Sequence, residues 1–344
     1  MLQRQGPEFE RLLQAKERLA NTLLQRGIDN GVAAMAKTSA AEAVERAGVQ
    51  VHAVGIGQKV VNGETKNVVR VYVVQKLSKA DGLRDEDAIP PFADAEQTIP
   101  TDVIEAPVAS FLSSEAAETA EAAVPNALAL TGCSATSNMA RQVVIGGIST
   151  GFSGGPTGTI GCFCRSRNGI DGTFVLSNRH VYVGTSTVLV QPSSNDVPPF
   201  VEFADFHAAT PPIIANGIVA NRLDAAVGLL RPGVEHAQVI CGIGPVHGKV
   251  LASLQMPVRK HGRATNLRRG IISDIDWQGL VSAALFENQI RIQATAGAFA
   301  GLRDSGALIV SGNSAVGLLF ARSGGDGLAN YIDDVLDDLD MDLE

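Results

Sequence analysis

The chain has 344 residues, 45% of them hydrophobic, which is enough apolar material for two packed units rather than one small domain. Its net charge of −8 argues against nucleic acid as a partner, because phosphate binding requires a cationic surface. No apolar run is long enough to cross a bilayer, and the start MLQRQGPEFERLLQAKER is too charged for a secretory signal, so the expectation is a cytoplasmic protein with no membrane partner.

Pro7 to Gln25 reads as a helix: Pro7 suits its first position, Phe9, Leu12, Leu13, Leu19, Leu23 and Leu24 line one side, and Gly27 suits its end. An alanine-rich helix is expected from about Val32 to Arg46. Their apolar stripe must be covered. Packing on the chain itself is the default, with self-association into a homo-oligomer or docking of an activating partner ranked second.

Two strand-like runs follow, Val49 to Val61 and Thr65 to Val74, joined by Asn62-Gly63, a pair that tolerates the positive φ of a tight hairpin turn. Pro90 and Pro91 break the chain, and Thr101 to Glu105 reads as another strand. The expected organisation is an N-terminal helical segment over 1–48, a small α/β domain over 49–112, a linker over 113–141, and a β-rich unit over 142–344. Within the linker, Ser113 to Pro125 is rich in Ala and Glu and reads as helix or linker.

Thirty-six glycines and few aromatics fit a β-rich protein with many tight turns. The segment Gly146 to Gly161 lacks the Gly-Lys-Ser/Thr ending of a phosphate loop and reads as a turn-rich lead-in to strands. Asn168-Gly169 and Asp171-Gly172 fit a turn between GTIGCFCR and GTFVLSN. Pro192 to Pro212 carries five prolines and is expected to be a long surface loop. Arg259-Lys260 and Arg268-Arg269 read as solvated turns. The acidic end, DDVLDDLDMDLE, interleaves Ile332, Val335, Leu336, Leu339 and Leu343 at helical spacing and predicts an amphipathic terminal helix with its acidic face in water.

Three polar residues stand beside apolar strand sequence: His180 after LSNR, Asp224 in RLDAAVGLL, and Ser305 in RDSGALIV. A serine hydroxyl is a poor nucleophile at neutral pH. It requires an imidazole to take its proton and a carboxylate to hold that imidazole in the useful tautomer. Each residue alone has an ordinary structural reading, as packed histidine, capping carboxylate or turn serine. Their order, with gaps of 44 and 81 residues, suits a protein of two β-barrels.

Over about Gly158 to Ile332 the chain resembles the trypsin-like (chymotrypsin-fold) serine peptidases. The match comprises GTIGCFC, GTFVLSNRHV, LDAAVGLL, GRATNLRRGII, RDSGALIV and SAVGLLFA. It is most similar to the intracellular branch of the plant Narrow-leaf-1 proteins and their bacterial relatives, whose amino-terminal domain VRVYVVQKLSKADGLRDEDAIPPFADAEQTIPTDVIEA matches. The resemblance implies a mainly β protein, a chymotrypsin-like double β-barrel preceded by a small α/β domain with N-terminal helices. It implies a regulated serine endopeptidase acting on protein or peptide substrates, without cofactor or metal. Ser305 would be nucleophile, His180 base, Asp224 orienting carboxylate, and the amides of Arg303 and Ser305 the oxyanion hole, with Asp304 steadying that loop.

Counting from the nucleophile, the same resemblance places the base of the primary pocket at Phe299, with Phe320, Arg322 and Gly327 along its walls. An aromatic floor favours a small or apolar substrate side chain, whereas Arg322 would favour an acidic one. Two departures stand out. Arg303 replaces the usual glycine, so its amide serves only if a residue with a Cβ reaches the required φ/ψ. Near Phe320 the family's small hydroxyl partner of the carboxylate is missing. Both motivate an alternative reading, a catalytically impaired pseudo-peptidase acting as a protein-binding scaffold. Arg141 to Gly147 superficially resembles a site cut to free an amino terminus that pairs with Asp304, though a strand is the preferred reading. Cys133, Cys162, Cys164 and Cys241 do not form a dense disulfide framework, and Cys162 and Cys164 read as small core residues rather than a metal or redox pair.

Overall fold

The computed structural model describes residues 2–24, 51–76, 89, 91–93, 98–112, 133, 136–217 and 219–344. The alanine-rich helix expected over 32–46, Gly27, Pro90 and the stretch 113–125 lie outside the described residues.

The molecule is mainly β, with two barrel-like units. In the carboxyl-terminal unit the hydrogen-bonded circuit closes. Pro257–Gly262 pairs with Asn266–Val281, which pairs with Ala284–Ala294; Asp326–Tyr331, Ser314–Ser323 and Leu308–Ser311 complete the ring back to Pro257–Gly262. Closure removes the unpaired edges that an open sheet would expose. Inside it lie buried Ile272, Ile290, Ile309 and Leu319. In the other unit the order is Phe163–Ser166, Phe174–Ser177, Ala226–Leu230, Val201–Ala209, Val188–Gln191, Ser149–Phe152 and Gly158–Thr159, around Ile160, Phe163, Leu189 and Phe203. A third cluster joins the units, with Cys162, Cys164, Leu308 and Leu318 packed against Ile332, Val335 and Leu336. Cys162 and Cys164 are buried and form no disulfide.

The amino-terminal strands belong to the same sheet as the closed ring. Val51–Val61 and Glu64–Val73 form the expected hairpin, with Asn62 at φ 53° and Gly63 at φ 82°. Val51–Val61 then pairs with the long strand Asn266–Val281 beyond the point where Pro257–Gly262 stops, and Thr101–Glu105 adds in parallel outside. Hydrogen bonding therefore continues from residues 51–105 into 257–331. Pro7–Leu19 is helical, with Pro7 in its first turn, and a π-helical turn follows at Ala20–Leu24. Phe9, Leu12 and Ala15 are buried in the same cluster as the closed ring's interior, so this stripe is covered by its own chain. Lys16 is buried beside it and pairs with Asp276 at 3.2 Å.

Several sequence expectations change. Val201–Ala209 is a strand, not part of a long loop: the five prolines flank it at 192, 198, 199, 211 and 212 and leave its interior free to pair. The terminal helix stops at Asp338, and Met341–Leu343 pairs with the edge strand Phe163–Ser166. Asp340 at φ 56° ends the helix, after which Met341 is buried and Asp342 exposed, the two-residue alternation of a strand. Instead of facing water alone, Asp337 and Asp342 pair with Arg167, and Glu344 with Arg165 and His236. Lys260 is fully buried rather than on a solvated turn. Cys133 and Cys241 form a disulfide across 108 residues of sequence, which spacing alone did not indicate.

His52 and His261 are both fully buried. His52 Nε2–H donates to the Ala106 carbonyl and His261 Nδ1–H to that of Gly147, each at 2.8 Å. Burial lowers both pKa values to about 4. Between the unfolded value near 6.5 and about 4, only the unfolded chain binds these protons, so stability falls as pH falls through that window. The expected loss is on the order of 3 kcal/mol per histidine by pH 4. Urea unfolding at pH 7 and pH 4.5 checks it, and His52→Gln should shrink the difference.

Candidate active site

Strand register brings the first two site residues together. Phe174–Ser177 pairs antiparallel with Ala226–Leu230, with Ser177 opposite Ala226. Three residues past Ser177, in the short helix Arg179–Tyr182, stands His180; two residues before Ala226 stands Asp224. Asn178 Nδ2–H clamps the Asp224 carbonyl at 2.5 Å, and Asn330 Oδ1 accepts the Asp224 N–H at 3.0 Å. The Asp224 carboxylate is fully buried and accepts from the His180 backbone N–H at 3.2 Å and from the ring at Nδ1. Two bonds from one residue fix both the position and the tautomer of the imidazole, leaving Nε2 as acceptor. The other ring nitrogen lies 2.8 Å from Ser305 Oγ.

Ser305 reaches that point because its loop docks on the other unit through main chain. The Ser305 carbonyl accepts from Thr159 N–H at 2.7 Å. Next to it, Gly306 has φ 93°, and a Cβ there would lie 2.1 Å from Ser177 Oγ and 2.3 Å from the Thr159 carbonyl. Only glycine allows this approach.

Asp304 holds the same loop from behind. Its carboxylate is fully buried and accepts from Lys260 Nζ at 2.6 Å, Thr265 Oγ1 at 2.5 Å, and the N–H groups of Ala264, Thr265 and Gly301 at 2.9, 3.1 and 3.1 Å. Burial opposes charge on the carboxyl, but the Lys260 ammonium and the Thr265 donors outweigh it and keep its pKa below the usual carboxylate range. At Lys260 burial prevails and lowers the pKa. Lys260 thus supplies from within the chain the positive charge that a freed amino terminus would have brought. Val143–Gly146, in the segment that resembles a cut site, is a strand paired with Glu235–Ile240.

Arg303 lies at φ 76°, the left-handed region that a Cβ disfavours. In that conformation its N–H donates to the carbonyl of Leu112 at 2.8 Å, while its own carbonyl accepts from Thr159 Oγ1 at 3.0 Å. Phe299 is fully buried and touches the Cα side of Gly327, where a Cβ would lie 2.8 Å from its ring. Arg322 is the strand partner of Gly327. The Phe320 ring packs with Phe286 at 4.8 Å and Phe111 at 6.3 Å, in a cluster separate from that of Phe299. No hydroxyl stands at position 320. Asn178, Asn330, Lys260 and Phe111 escaped the sequence reading because each acts through a partner 40 or more residues away. Among the described residues, no group of three or more His, Cys, Asp or Glu side chains is placed to hold a metal ion.

No protein-family model matches the chain, and no curated protein matches it. Among solved structures it is similar to a glutamic acid specific serine protease, at 15% identity and TM-score 0.47 over 58% of this chain and 100% of that one. Thermobifida fusca Protease A matches at 20% identity and TM-score 0.45, covering 58% and 98% of the two chains. Nocardiopsis protease matches at 17% and 0.44, with the same coverage.

Gly306→Ala should destabilise the protein by about 3 kcal/mol or more, because strain and a backbone collision coincide. Gly312→Ala, also at positive φ but in open space, should cost about 1 kcal/mol; urea unfolding of both separates the two effects. Lys260→Met strands a buried carboxylate and should cost about 3–5 kcal/mol, part of which Lys260→Met/Asp304→Asn restores in the same assay.

Proposed function

We propose that this chain is a serine endopeptidase of chymotrypsin-like fold that hydrolyses peptide bonds in protein or peptide substrates. Ser305 Oγ attacks the carbonyl carbon while His180 Nε2 takes its proton and later returns it to the departing amine. Asp224 holds the ring and stabilises the imidazolium. The amides of Arg303 and Ser305 bind the oxyanion, a contribution on the order of 3 kcal/mol per donor. The observation that carries this reading is the 2.8 Å contact between His180 Nε2 and Ser305 Oγ, with Asp224 on the opposite ring nitrogen.

Supporting it, the Arg303 N–H already donates to a carbonyl despite its side chain, so the replaced glycine is no obstacle. The missing hydroxyl at Phe320 leaves Asp224 with two donors from His180 and with Asn178 and Asn330 on its main chain. These observations weigh against the scaffold alternative. Buried Phe299 against Gly327 favours apolar substrate side chains over acidic ones. Membership of the Narrow-leaf-1-like branch and the division at residues 48, 112 and 141 belong to the same proposal. A cytoplasmic site fits less well, since the Cys133–Cys241 bond is of a kind that a reducing compartment does not sustain.

A fluorophosphonate probe should label Ser305 in Phe111→Ala, which lacks the ring that borders His180, and Ser305→Ala should abolish labelling. Peptide hydrolysis by Ser305→Ala should fall by on the order of 10⁶ in kcat. Unchanged turnover in that variant eliminates the assignment.

A further inference from the structure

Residues 109–112 run through the groove beside the site, and their contacts have the form of a bound peptide. Ser110–Phe111 is a short strand antiparallel to Ser314–Ser323, with Phe111 opposite Ala321 and Ser110 opposite Arg322. Leu112 N–H faces the Phe320 carbonyl at 3.5 Å, and the Leu112 carbonyl accepts the Arg303 N–H at 2.8 Å. The Phe111 ring meets the His180 ring edge-on, centroids 5.8 Å apart, and packs on Phe286 at the same separation. Leu112 is fully buried in the cluster that contains Phe299 and Ala300.

Strand addition to an exposed edge with side chains read in pockets is a general mode of peptide recognition. The decisive contact is the last carbonyl. A connecting segment that only crossed the groove would have no reason to place its carbonyl oxygen on the amide two residues before the proposed nucleophile. Nor would it need to put an aromatic ring against the proposed base and a leucine into the apolar pocket in consecutive positions. Upstream, the segment is held by Ser282 N–H on the Ala109 carbonyl and Ser323 Oγ–H on that of Pro107, both at 2.7 Å.

We propose that this segment is the protein's own substrate and that Ser305 cuts the chain between Leu112 and Ser113, an inference that rests on the serine-peptidase reading above. Ser305 Oγ bonds to the Leu112 carbonyl carbon, and its proton passes through His180 to the amine of Ser113 as the Leu112–Ser113 bond breaks. Water then attacks the acyl-enzyme, giving its proton to His180, which returns it to Ser305 Oγ. The products are a Leu112 carboxylate and a new amino terminus at Ser113. Because Val51–Val61 is hydrogen-bonded to Asn266–Val281, the amino-terminal piece stays bound after the cut, with its carboxyl end in the groove. The substrate class that follows is a chain with an aromatic residue preceding an apolar residue at the cleaved bond.

The test uses the full chain, purified and incubated at several dilutions, read by intact mass and by sequencing of new amino termini. The expected result is a fragment beginning at Ser113, formed at a rate independent of protein concentration, and absent from Ser305→Ala, whose folding is checked by circular dichroism. Fluorophosphonate labelling runs alongside, on wild type and on Leu112→Asp, whose charge has no place in the buried pocket; Phe111→Ala provides a second, milder release of the segment. A wild-type chain that stays intact, with Ser305 labelled in wild type or in either release variant, overturns self-cleavage while leaving the peptidase reading standing. An intact chain unlabelled in all three overturns both. A cut at any other bond, or one that persists in Ser305→Ala, overturns the self-cleavage assignment.

Discussion

A single buried carboxylate governs the shape of the site. Asp304 carries charge where no water reaches it, and such a charge is tolerated only when its oxygens are fully engaged. Five donors do this, drawn from Lys260, Ala264, Thr265 and Gly301. They tie residues 301–306 to residues 260–265, and Gly262 belongs to this arrangement because a Cβ there would sit 2.4 Å from the carboxylate. With Gly301 and Asp304 fixed in this way on either side, the Arg303 backbone is held at φ 76°, and its N–H is aimed into the groove. A side chain with an unfavourable backbone preference is thereby held where a glycine would rest without strain.

The second constraint is the junction between the two β units. Beside the apolar cluster, it is made of main chain and short hydroxyl side chains: Thr159 N–H on the Ser305 carbonyl, Thr159 Oγ1 on the Arg303 carbonyl, and the close passage of Gly306 over Ser177. Ser177 is also the residue whose pairing with Ala226 sets His180 beside Asp224. One short stretch of strand therefore fixes two distances, imidazole to carboxylate and imidazole to hydroxyl. The geometry is rigid because its supports are hydrogen-bonded strands, not long flexible side chains.

The amino-terminal part of the chain completes the groove instead of standing apart from it. Its hairpin extends the closed ring along Asn266–Val281, and residues 106–112 return from there across the face that His180 borders. Phe111 meets His180 edge-on and also packs against Phe286 and Phe320, covering part of the imidazole. The same residues that finish the fold thus lie where a peptide would be read.

The sequence by itself determined the local elements and singled out the candidate set. Asn62-Gly63 specified the hairpin, Pro7 the helix start, and the order His180, Asp224, Ser305 suggested the proposed chemistry, because turn φ, proline's fixed φ and the requirements of a proton relay are local or pairwise properties. It misplaced Val201–Ala209, where flanking prolines masked a strand, and Met341–Leu343, where an apolar residue every few positions fits a helix until edge pairing is available. Only the tertiary structure decided that Lys260 is buried against Asp304, that Cys133 bonds Cys241, and that Leu112 meets Arg303. Each joins residues 40 or more apart in sequence, and a charge, a thiol or a carbonyl carries no mark of its distant partner until closure of the sheets brings the two within bonding distance.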